Sequence, residues 1–184
     1  MRESLGMGVD PGDYFELTID ELREVTRFAL ASAAEVLAVY EAAVPDDNRP
    51  RAALAAARQF AEGGPRSAQQ RVTALAAHRA AREASTELVS SAATAAGDAA
   101  ASAYLHPFAK ANQVGHILRA AAHAAHVHEL VSGNPRDAER SLGRARERAT
   151  PVLLDVLRRY PPAPSGRTRV AELMEHLDAG LRNP

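Results

Sequence analysis

The chain has 184 residues, 41 of them alanine, with 46% hydrophobic but only 4% aromatic residues; 22 basic side chains face 23 acidic ones, for a formal net charge of −1. That size suits a single ordinary core, and the balanced charge argues against a general nucleic-acid binder, which carries a basic excess. The absence of cysteine excludes disulfides and thiolate metal sites, and no apolar run is long enough for a signal peptide or a bilayer span, so a cytoplasmic protein without a membrane partner is expected.

Residues 1–16, with Gly6, Gly8, Pro11 and Gly12, read as a flexible lead-in to a single all-α domain over 17–184. Thr18 with Glu21 three residues on forms a capping box, and Leu22, Val25, Ala29, Ala33, Val36 and Tyr40 recur at helical steps. This predicts one long first helix that stops before "VPDDNRP". Pro50 suits the first turn of a second helix over 49–62, closed by Gly63-Gly64-Pro65. A third is expected to run from Ser67 through to "SAYL", with Gly97 as its weakest internal point. His106-Pro107 marks a break, and a fourth helix is predicted from Pro107 to about Val131. Asn134-Pro135 opens a fifth, and Thr150-Pro151 either kinks it or opens a sixth that ends at Tyr160. "PPAPSG" is a linker, and "TRVAELMEHLDAGL" is a terminal amphipathic helix. Alanine permits close helix approach, so the expected architecture is an antiparallel helical bundle or a compact stack of helical hairpins, about six helices in all.

Chemistry concentrates in "YLHPFAKANQVGH", residues 104–116, which holds Lys110, the one lysine among 21 arginines. On a helix that starts at Pro107, His106, Lys110, Gln113 and His116 fall within an arc of about 120°. Such a strip is a candidate ligand pocket, with an amine and two imidazoles for an anionic or carbonyl group and Gln113 to orient it. Arg71, Leu75, His78 and Arg82 make one stripe on the third helix, where Arg79 and Glu83 are spaced as an ion pair. Were His78, Arg82 or Glu83 to face the Lys110 strip, they would join a buried polar network there. The turn residues Asp46, Asp47, Arg49 and Arg51 either cap the second helix or form a charged rim for a partner. His123, His126 and His128 form H-x-x-H-x-H, without the carboxylate of a metalloprotease motif, and no metal or other cofactor is expected. The basic stretch "RDAERSLGRARER" is interrupted by Asp137, Glu139 and Glu147, as a solvated helix face would be.

Two stretches carry a family resemblance. "LTIDELREVTRFALASAAEVLAVYEAAVPDDNRPRAALAAARQFAEGG" is similar to the opening of alanine-rich bacterial proteins of the Imm5-like immunity family, and "YLHPFAKANQVGHILRAAAHAA" resembles a later segment of them. The resemblance covers roughly residues 17–130 and implies an all-helical protein that binds and neutralises a toxin in bacterial competition. Gly115 and Arg119 stand where the family's lysine–glycine pattern is expected, which implies a changed partner or a lost activity. Some family members bear an exonuclease-subunit label, but this chain has no G-x-x-x-x-G-K-[ST] loop. The leading expectation is a non-catalytic binding protein with a toxin-like protein partner. The alternative is a small-molecule-binding protein or enzyme using the His106–Lys110–Gln113–His116 pocket. Alanine-rich faces would serve a homodimer as readily as an internal core.

Overall fold

A computed structural model describes residues 14–183 and shows an all-α fold. Nine α-helices occur among the described residues: α1 (Ile19–Ala34), α2 (Leu37–Ala43), α3 (Arg49–Ala61), α4 (Ala68–Glu83), α5 (Glu87–Ala101), α6 (Val114–Ser132), α7 (Pro135–Arg148), α8 (Pro151–Arg158) and α9 (Arg169–Arg182). Most of the helix starts follow from local chemistry. Thr18 and Ser67 build capping boxes with Glu21 and Gln70, and Thr86, Asn134, Thr150 and Thr168 each accept a first-turn amide. Pro50, Pro135 and Pro151 sit in first turns, where a missing N–H costs nothing.

Nine helices instead of about six arise because the first and third expected helices each divide in two and Thr150-Pro151 opens a helix of its own; the fourth is shorter than its periodicity. The first breaks at Glu35–Val36 into α1 and α2, with no proline or glycine to cause it. Tertiary contacts hold the break: Val36 is buried, and Glu35 accepts from Arg144 (2.8 Å) and Arg148 (2.6 Å) of α7. The third expected helix is two, α4 and α5, divided at residues 84–86 where Thr86 accepts from the Val89 amide. Gly97 causes no break and lies well inside α5. The fourth begins at Val114, not at Pro107. Residues 107–110 instead make two tight turns, Phe108 N–H to His106 O (2.8 Å) and Lys110 N–H to Phe108 O (2.6 Å), before a 3₁₀ turn over Ala111–Gln113. The reason is non-local. Phe15 N–H donates to Pro107 O, Tyr14 and Phe108 form an isolated antiparallel bridge, and the Tyr160 hydroxyl donates to His106 O. These ties hold the turns of the segment against its neighbours, so it does not wind into an α-helix. Thr150-Pro151 starts a separate helix rather than a kink.

Two packed regions meet along α6. One is aliphatic and aromatic, with Leu22, Val25, Phe28, Phe60, Ile117, Leu118, Leu142, Leu153, Leu157, Tyr160, Leu173 and Leu177. The other is mostly alanine and joins parts of α1, α2, α3, α4, α5 and α6. Helix α5 is its axis: Ala92, Ala93, Ala95, Ala96, Ala99 and Ala100 are all fully buried, so the helix is enclosed on nearly every side. No helix among the described residues is long and apolar enough to cross a membrane. Of the expected lead-in, residues 1–13 lie outside the described residues, while Phe15 packs edge-on against Tyr160 with ring centroids 5.0 Å apart.

Candidate functional site

In the alanine run "AAGDAAA" of α5, Asp98 is the only charged side chain, and it is 1% exposed. A buried carboxylate is costly unless its charge and its lone pairs are both met. Arg119 of α6 meets both in a forked pair, Nε to Oδ2 at 2.8 Å and Nη2 to Oδ1 at 2.6 Å. His78 of α4 comes within 3.5 Å of the same carboxylate, Nε2 to Oδ1. Gly97 makes that approach possible: a Cβ there would lie 2.8–2.9 Å from the His78 ring.

His116 and His123 stand one turn before and one turn after Arg119, so α6 presents an H-x-x-R-x-x-x-H stripe. The Nδ1 atoms of both rings are buried without a hydrogen-bond partner among the described residues. Burial pushes the His78, His116 and His123 imidazoles below their ordinary range, and the positive charge of Arg119 adds to the push. The Asp98 carboxylate pulls the other way without reversing it; His123 ends at about 4. All three rings are therefore neutral at neutral pH. Arg119 is held above its ordinary value, chiefly by its hydrogen bonds to Asp98.

Two open grooves, each about 380 Å³, flank this cluster and share Arg119. One lies between α4 and α5, lined by Leu75, His78, Arg82, Thr94, Asp98 and Arg119. The other lies beside the start of α9, lined by Glu87, Ser91, Arg119, His123, Thr168 and Met174 among others. Both oxygens of Asp98 are taken by Arg119, and the Thr94 hydroxyl donates to the Ser90 carbonyl. The groups at hand favour a fixed polar anchor between helices over a base poised to act on a substrate.

The cluster is not the one expected at residues 106–116. His106, Lys110, Gln113 and His116 do not share a helical strip, because the helix begins after Gln113. Gln113 Oε1 folds back to accept from the His106 amide (3.1 Å), and His106 is exposed. Lys110 is exposed as well, its ammonium 4.4 Å from the centroid of the Phe108 ring. Only His116 of the four reaches the polar cluster, where it feels the charges of Arg119 and Asp98. Arg82 lines the groove edge, while Glu83 pairs across to Arg49 of α3 at 2.5 Å and not with Arg79.

Arg49 also holds Asp47 (2.6 Å), which accepts from the Arg49 amide and from the Tyr40 hydroxyl. These bonds hold the Asp47 carboxyl well below the usual carboxylate range, while burial and Asp47 push the Tyr40 hydroxyl up to about 12. Arg51 pairs with Glu41, and Asp46 is exposed. The turn is thus pinned mainly by Asp47, with Arg51 and Asp46 left at its rim. His126 turns to Glu87 (2.9 Å) and His128 to Glu35 (3.3 Å), so the three histidines of H-x-x-H-x-H diverge.

Asp98 and the role of His123 beside it escape a reading by motif. The signal was present as one carboxylate inside the stretch 90–101 of a helix, otherwise built of alanine, serine, threonine and one glycine, a composition that is buried on nearly every side.

Substituting Gly97 with alanine tests the His78 contact. The new methyl drives the His78 ring out into the groove, so its pKa is expected to rise toward the ordinary imidazole value in an NMR titration. Stability is expected to change by less than about 1 kcal/mol, because alanine's helix preference offsets the lost packing. An unchanged His78 titration would show that the ring does not rest on Gly97.

Residues 16–150 match the family model described as Imm-5 like putative immunity protein. No curated protein and no solved structure matches the chain.

Proposed function

Because the chain belongs to the Imm-5 like putative immunity protein family, we propose that it neutralises a toxin partner by stoichiometric association, without turnover. The supporting observation is how its charges are used. Asp98–Arg119 joins α5 to α6, Glu83–Arg49 joins α4 to α3, Glu35–Arg144 and Glu35–Arg148 join α1 to α7, and Glu129–Arg169 joins α6 to α9. The charged groups of these pairs are committed to holding helices in register. A rigid scaffold of this kind presents its surface with little ordering cost on binding, which suits an inhibitor more than an enzyme.

The test is dose. Each polypeptide encoded directly beside this gene is expressed as a candidate toxin, and the chain is titrated against the one that arrests growth or acts in vitro. Inhibition is expected to rise linearly and to saturate at one chain per toxin, with a complex of matching mass in light scattering. Protection at far below equimolar amounts would favour an enzymatic antidote and sink the stoichiometric reading.

A further inference from the structure

Helix α4 lies on the outside of the bundle, packed against α3 and α5, and its outer face is unlike the rest of the surface. Val72 and Leu75 are 58% and 57% exposed, two of the most solvent-open large aliphatic side chains among the described residues. Arg71, Arg79 and Arg82 surround them, and all five fall within an arc of about 100° at helical spacing. None of these three arginines forms an ion pair among the described residues, whereas many arginines elsewhere do. The one carboxylate on α4, Glu83, is drawn away to Arg49. Arg66, just before the helix, lies over the Tyr104 ring and extends the basic edge. Beside this face runs the groove between α4 and α5, whose floor includes His78 and the Asp98–Arg119 pair.

We infer that this α4 face is a docking surface for a protein partner that presents carboxylates around an apolar side chain, with the apolar group entering the groove at Leu75. The inference rests on the stoichiometric-binding reading above and says where that binding occurs. Charge complementarity identifies the partner: unpaired guanidiniums favour carboxylates bidentately, and a patch with an apolar centre and a charged rim is the anatomy of a protein interface. A phosphate track would have no use for two exposed aliphatics at its centre, and two aliphatics are too few to seat a helix in a lipid surface.

Two arms keep this surface separable from the function it serves. In the first, the neighbouring-gene toxin that binds the wild-type chain is titrated with Arg79→Glu/Arg82→Glu and with Leu75→Ser. All three positions are exposed, so the fold is expected to be retained, checked by helical circular dichroism. The double charge reversal is expected to weaken binding by about a hundredfold or more and to slow association, and Leu75→Ser by about tenfold, mainly through faster dissociation. Unchanged affinity in both variants overturns the surface while leaving the immunity reading intact.

In the second arm, a fluorescent helical peptide with two leucines flanked by glutamates is compared with its lysine counterpart, a short DNA duplex and anionic phosphatidylglycerol vesicles. The glutamate peptide is expected to bind at least about tenfold tighter than the others, and to weaken with salt and with the charge reversal. Binding of this peptide with no toxin found among the neighbours keeps the surface and removes the immunity reading. Tighter binding to duplex or vesicle, or equal binding of both peptides, overturns the inference.

Discussion

Replacing Arg119 with methionine is expected to destabilise the fold by about 3–5 kcal/mol, the usual cost of stranding a buried charge by removing its partner. Asp98 is 1% exposed and has both oxygens on Arg119, so the substitution leaves a carboxylate in an alanine-lined interior with only the longer His78 approach. Pairing it with Asp98→Leu is expected to recover most of the loss, because an apolar pair of similar volume avoids both the desolvation and the orphaned charge. Urea unfolding of the two single variants and the double variant measures this directly, with the slope m as a check that compactness is unchanged. A single-variant loss below about 1 kcal/mol would mean that Asp98 is not enclosed as its surroundings indicate.

The second large effect is acid sensitivity of the same cluster. His123 titrates at about 4 in the folded chain, against about 6.5 when unfolded. Since the folded pKa is the lower one, the unfolded chain binds the proton first. Stability is then whole above about pH 6.5 and falls as pH drops toward 4. The shift corresponds to about 3 kcal/mol lost across that window, with His78 and His116 adding in the same direction. The carboxylates that are held low, Glu21, Glu35, Asp47 and Glu83, lose their contributions only at more acid pH, as it falls below their unfolded values. Between pH 7 and 5 the slope therefore reports on the histidines. Urea midpoints across pH 7 to 4 are expected to fall for the wild type and to fall less for His123→Gln. Parallel curves for the two proteins would remove His123 as the source.

The physical origin of both effects explains what could be read from the chain alone. Caps act within one turn, so Thr18, Ser67, Asn134, Thr150 and Pro135 announce their helices from sequence. Alanine content likewise dictates thin, close helix contacts and an all-α fold. Periodicity overran in three places. It carried the first helix through Glu35–Val36, passed over the Thr86 cap, and began a helix at Pro107 where Phe15 and Tyr160 hold the backbone in turns. The Lys110 strip depended on that last helix and disappeared with it; Lys110 sits in the open on Phe108.

What the sequence by itself determined was local: where most helices begin, which residues cap them, and that alanine would let them pack closely. The tertiary structure alone decided which stripes meet. Asp98 and Arg119 are 21 positions apart, and His78 is 20 before Asp98. Alanine faces are nearly alike in shape, so no periodicity states which of them will interlock. That choice is made by the whole core at once, and it placed one acid, one arginine and three neutral histidines together under the outer face of α4.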